Sequence, residues 1–190
     1  MALVFDRPAE DTRLREALGL SIDRTAMHNV LLQRQGEIAG GLLPQWLTGY
    51  AFLFPTAQDL PRARQLVAAI RASARQLSLA YDASDPVARS VADRIAVNAR
   101  EASIVLQVSP QAARPDVRLM RPMPGLSLFD ALHNPEVSFA TERAILASLQ
   151  MIPLFHLPQT YGLSPRLKNW MASRWGEWRL DDVFLDPEKP

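Results

Sequence analysis

Three histidines, His28, His133 and His156, are the side chains of this 190-residue sequence best suited to proton transfer or metal ligation. They lie far apart, and no pair has the H-x-x-x-H or H-E-x-x-H spacing that puts two imidazoles on one helix face. No metal site is expected. His133 stands in DALHNPE, where Asp130 and Glu136 could join it at a helix end, the grouping a small hydrolase or lyase would need. Asn134-Pro135, however, reads equally well as an ordinary stop-and-turn signal. The adjacent carboxylates Asp181 and Asp182 are flanked by Val183, Phe184 and Leu185 in the tail and read as solvated charge. Cysteine is absent, which removes thiol nucleophiles, disulfides and thiolate-bound metals together. Neither a G-x-S-x-G elbow nor a glycine-rich phosphate loop is present, so neither a catalytic residue nor a cofactor is assigned.

Two sets of cations could touch phosphate. Arg64, Arg71 and Arg75 fall on one side of a helix drawn through residues 60–81, and Arg166, Lys168 and Arg174 follow the turn at Gly162. Two segments imitate a DNA-reading helix-turn-helix, LREALGLSIDRTAMHNV and LPQTYGLSPRLKNWM. The positions that should be small or apolar in that motif hold Arg15 and Thr25 in the first, Pro158 and Lys168 in the second. With 21 Lys+Arg against 20 Asp+Glu, the net charge of +1 gives no global attraction to nucleic acid. Nucleic-acid binding is therefore the alternative rather than the main expectation.

Aromatic residues form the third group. Residues 38–58 contain no charged residue and no histidine, and their dense centre, LLPQWLTGYAFLF, carries Trp46, Tyr50 and Phe54. Prolines and glycines interrupt this stretch, which is too short to cross a bilayer needing about 20 apolar residues. It reads as a helix buried in a core, or as a partner-binding surface. Trp170, Trp175 and Trp178 recur at near-helical spacing and suit either a core stripe or an anchor for another protein.

The elements that position these groups read as helical. Asp11 is placed to cap a helix over residues 12–18 that Gly19 ends, and Ser21 to cap a second that fades at Gly36. Residues 60–81 place Leu66, Ile70, Leu77 and Tyr81 in one arc. Asp85 then caps a helix with Pro86 at its first position, lined by Val87, Val91, Ile95, Ala102 and Val105, so that the two helices form an antiparallel hairpin. Four prolines make residues 109–125 an extended connector. Further helices are expected over residues 139–152, stopped by Pro153, and from Ser164-Pro165 through Trp175. Only Ser103–Val108 and Val117–Met120 read weakly as strands.

The expected fold is all-α, an irregular bundle of about seven helices with a Pro-rich connector near residues 109–125. Its 48% apolar and 22% charged composition is that of an ordinary globular chain. It is read as one domain over residues 1–190, divisible into a bundle at 1–108, a C-terminal helical subdomain at 126–178 and a tail at 179–190. The function that fits is binding without catalysis, as an adaptor, accessory or scaffold subunit of a larger bacterial assembly, with other protein subunits as partners. The start of the sequence, MALVFDRPAED, does not read as a secretory signal, and a cytoplasmic location is the default.

Overall fold

The run ALVF at the start of the sequence has no polar position, the pattern of a strand covered on both faces. In the computed structural model, which describes residues 1–6, 12–110, 112–121, 133–158, 162–171 and 180–186, that is what it forms. Strand β1 (Ala2–Phe5) is buried along its whole length between two antiparallel neighbours. Around it stands a mixed five-stranded sheet in the order β4-β3-β5-β1-β6. Strands β3 (Gln76–Tyr81), β4 (Val105–Ser109) and β5 (Val117–Met120) are parallel, and β6 (Met151–Pro153) closes the edge beside β1. This sheet overturns the all-α expectation.

Among the described residues the α-helices are α1 (Arg13–Ser21), α2 (Arg24–Val30), the single turn α3 (Gln45–Thr48), α4 (Leu60–Ala68), α5 (Pro86–Glu101) and α6 (Pro135–Ala147). A short β2 (Glu37–Ile38) pairs with β7 (Phe155–His156) in a separate ladder. The core gathers Leu3, Leu18, Ile22, Leu79, Ile95, Ile104 and Ile152, each fully buried. It lies between the sheet and the helices, with α1 against both α4 and α5.

The expected helix over residues 60–81 is three elements. It ends at Ala68, passes through a 3-10 turn at Ala72–Ala74, and becomes β3. Leu77, Leu79 and Tyr81 alternate with Gln76, Ser78 and Ala80, and Leu77 and Tyr81 satisfy both the helical and the strand period, so periodicity alone does not separate the two. The helical hairpin is consequently a βαβ unit in which α5 links β3 to β4. Both weak strands, β4 and β5, are real, and β5 lies inside the expected connector. Asp116 fixes its start: Oδ2 accepts from Ser78 N (2.8 Å) and Ser78 Oγ (2.7 Å), while Asp116 N donates to Ser78 Oγ (2.9 Å).

Other boundaries shift for local reasons. Gly19 lies inside α1, packed against Ile152 and Phe54, and does not end it. Asp23, not Ser21, caps α2 by accepting from Ala26 N; the Ser21 hydroxyl turns back to Leu18 O. The uncharged stretch makes only the turn α3 before Gly49 takes a left-handed φ of +79°. Residues after α6 turn into β6, so Ile152 and Pro153 are in the sheet. The expected cap at Asp11 lies outside the described residues.

The chain divides into two compact units, Met1–Leu157 and Pro158–Pro190. In the second, β8 (Leu167–Lys168) and β9 (Phe184–Leu185) form an antiparallel pair, reinforced by Arg166 Nε donating to Asp186 O (3.0 Å) and by Lys168 Nζ 3.4 Å from Asp186 Oδ2. The expected helix from Ser164-Pro165 is therefore a strand at Leu167–Lys168, and its continuation over residues 172–179 lies outside the described residues.

Candidate functional site

Parallel strands leave their carboxyl ends pointing the same way, and in open α/β sheets ligands bind in the crevice outside those ends. A cavity of about 480 Å³ occupies this position. Its walls come from the end of β3 (Ala80, Tyr81, Asp82), the first turn of α5 (Asp85, Ala88), the residues after β4 (Pro110, Ala112), the end of β5 (Leu119, Met120, Arg121), Arg118 and Met1.

Local chemistry fixes the charged groups here. Asp85 is the N-cap of α5, accepting from Val87 N (3.0 Å) and Ala88 N (3.2 Å). Arg121 forks onto the same carboxylate, Nη2 to Oδ1 at 3.0 Å and Nε to Oδ2. Burial works to raise the Asp85 pKa, but Arg121 and the two amides outweigh it and the carboxyl is held below its usual range. Arg118 Nε meets both oxygens of Asp6 at 3.0 Å. Asp82, at the rim, takes Ser84 N (2.9 Å) and Ser84 Oγ (2.7 Å) on Oδ1, and these bonds lower its pKa. The Met1 nitrogen donates to Phe155 O at 2.6 Å.

A second constellation lies under the uncharged stretch. Glu142 of α6 is fully buried. Its Oε1 accepts from Leu42 N and from Leu43 N (3.0 Å), and its Oε2 accepts from the Tyr50 hydroxyl (2.8 Å). Burial and the Glu142 hydrogen bond and charge push the Tyr50 phenol far above its ordinary range. A Cβ at Gly41 would stand 2.8 Å from Glu142 Oε1, so a larger residue there would push this carboxylate from its place. His156 reaches the Gly41 backbone; burial, with a smaller electrostatic push from the amino terminus, lowers it to about 4, against the effect of that hydrogen bond. Arg24 is also fully buried, its Nε and Nη1 donating to Pro153 O and Gly19 O (3.1 Å each), with Phe54 5.7 Å away.

The residues singled out from the sequence are dispersed. Phe54 is buried, Tyr50 half-buried, and Trp46 is 55% exposed. The arginine stripe is split: Arg64 on α4 donates to Glu101 O, Arg75 donates to Ile70 O, and Arg71 lies in the loop between them. Arg166 is exposed, Lys168 and Trp170 are half-buried, and Arg174, Trp175 and Trp178 lie outside the described residues. His28 bonds Gly36 O (3.0 Å), and His133 and Glu136 are exposed. Asp130 lies outside the described residues. Among the described residues no group of three or more His, Cys, Asp or Glu could hold a metal ion.

Sequence reasoning missed the cavity residues Tyr81, Asp82, Arg118 and Arg121. Asp85 was visible only as a helix cap, and the weak strand at Val117–Met120 was the signal for the other wall.

This arrangement, a mixed sheet with a cavity at its carboxyl edge, agrees with known proteins. The model of the bacterial extracellular solute-binding proteins, family 5 (middle region), matches residues 1–128. The chain belongs to this family. Three solved structures share the fold. The dipeptide-binding protein of Pseudoalteromonas sp. SM9913, in complex with Met-Leu, superposes with a TM-score of 0.73 at 16% identity, covering 97% of this chain and 48% of its own. The substrate-binding domain of an oligopeptide ABC transporter from Bacillus anthracis gives 0.71 at 12%, covering 98% and 49%. NikZ of Campylobacter jejuni, in complex with Ni(L-His), gives 0.60 at 17%, covering 82% and 44%. The family-5 chain thus spans about half the length of each of these structures. No curated protein matches the sequence closely.

Family membership corrects the functional expectation. The chain is of a solute-binding family and not a scaffold or accessory subunit; nor is it a nucleic-acid-binding subunit or a hydrolase centred on His133. Binding rather than catalysis was expected, and a solute-binding family agrees with that part. The cytoplasmic default meets a family described as extracellular. No helix of the described residues is long and apolar enough to cross a membrane.

Proposed function

We propose that this chain supplies one ligand-binding lobe of an extracellular solute-binding protein that delivers small solutes to an ABC-type transporter. Its carboxyl-edge cavity is the solute-facing surface. The observation that carries this reading is the position of that cavity, which lies where open α/β sheets hold ligands and combines apolar walls with a few fixed charges. Peptides are the favoured solutes, since two of the similar structures are peptide-binding or oligopeptide-transport proteins. The transporter's membrane subunits are the partners, and the working location is outside the cytoplasmic membrane.

Isothermal titration calorimetry tests the proposal, with dipeptides in one arm and Ni(II) plus L-histidine in the other. Saturable heat with dipeptides, abolished by filling the cavity with Ala88→Trp, is the expected result. Silence in both arms defeats the solute-binding reading, and heat only in the nickel arm replaces its peptide part.

A further inference from the structure

We infer that Asp82 makes the carboxyl-edge cavity selective for peptide solutes whose side chain ends in an ammonium or guanidinium on an aliphatic stem. The inference rests on the solute-binding reading above and adds a charge preference that membership of the family does not supply.

Among the described residues, five charged side chains stand at or directly behind the cavity: Asp6, Asp82, Asp85, Arg118 and Arg121. Both guanidiniums are already matched. Arg118 is held by the two oxygens of Asp6, and Arg121 by the fork onto Asp85. The Asp85 oxygens are further filled by the Val87 and Ala88 amides, and its side chain is only 13% exposed. An anionic solute would have to displace a carboxylate already bonded in place and leave it without its cation.

Asp82 is different. Among the described residues the hydrogen bonds to its carboxylate come from Ser84 alone, and both fall on Oδ1, so Oδ2 is open at the rim. Three carboxylates against two guanidiniums leave one uncompensated negative charge, and Asp82 is where it resides. The same turn is held by Asp85 N donating to Asp82 O (3.1 Å), so the carboxylate is placed before a ligand arrives. Behind it Ala80, Pro110, Ala112, Leu119 and Met120 give an apolar wall, and Tyr81 adds a ring. A cation at Oδ2 with an aliphatic stem on that wall satisfies both surfaces at once.

The test is calorimetry of the 190-residue chain with Ala-Lys, Ala-norleucine and Ala-Glu, which share a main chain and differ in side-chain charge. The Lys form is expected to bind about 3- to 5-fold more tightly than the norleucine form, the range of a partly exposed ion pair, with the Glu form weakest. Asp82→Asn should bring the Lys-to-norleucine ratio to about 1 while leaving norleucine affinity within roughly twofold. Asp82 is exposed, so an unchanged melting temperature will confirm that the variant is folded. Equal affinity for the three dipeptides, or a Lys preference that survives Asp82→Asn, overturns the charge preference alone. Failure of all three to bind overturns the solute-binding reading, and this inference with it.

Discussion

Glu142 and Asp85 are both carboxylates with two backbone amides and one side-chain donor, yet one is sealed beneath a loop and the other stands at the mouth of a cavity. Glu142 has no solvent access, and its partners are the amides of buried Leu42 and Leu43 and the hydroxyl of half-buried Tyr50. Asp85 faces an arginine whose side chain is 45% exposed, and water can replace much of what either group loses. Similar bonds therefore serve opposite ends. Under the loop they determine whether residues 42–50 have a shape at all, whereas at the cavity they set charge while costing little if broken.

Glu142→Ala tests the contrast most severely. It strands the Leu42 and Leu43 amides and the Tyr50 hydroxyl, and should cost roughly 3 kcal/mol or more in denaturant unfolding. Next comes pH. The folded His156 titrates near 4 against 6.5 in the open chain, so the unfolded state binds the extra proton between those values. The contribution of His156 is complete above about pH 6.5 and falls as pH drops toward 4, by at most about 3 kcal/mol at roughly 1.4 kcal/mol per unit. Thermal melts across that window should show the slope, and His156→Gln should flatten it. Tyr50→Phe removes one donor to Glu142 and should cost about 1 kcal/mol by the same melts. Asp85→Asn, which keeps an oxygen for the helix cap, should cost about 1 kcal/mol or less. A larger loss for Asp85→Asn than for Glu142→Ala would break the comparison.

Much of the helical frame was legible because its signals are local. Asp85-Pro86 fixed the start of α5 without reference to any neighbour, whereas Asn134-Pro135, read as a stop-and-turn signal before a helix over residues 139–152, is where α6 begins. The sheet was hidden because its decisive contacts are not local. ALVF is apolar at every position, which suits a buried helix as well as a central strand, and only β5 and β6 on its two sides decide the matter. Residues 60–81 failed differently, since four apolar positions served two periods at once. The cavity was least legible of all. Its walls come from Tyr81, Pro110 and Arg121, which meet only after α5 has returned the chain to the sheet. Glu142 gave no sign either, because a lone glutamate in a helix reads as solvated, and its reach to Leu42 is a tertiary fact.

The place of β1 in the sheet also bears on when the molecule can finish folding. Leu3 pairs with Leu119 on one side and with Ile152 on the other, so the middle of the sheet cannot close until the ribosome has released the chain well past Pro153. Distant pairings of this kind slow folding, because the entropy of a long loop is lost before the strand contacts form. The place of β1 between β5 and β6 thus acts as a delay, holding this sheet open until β6 has been made.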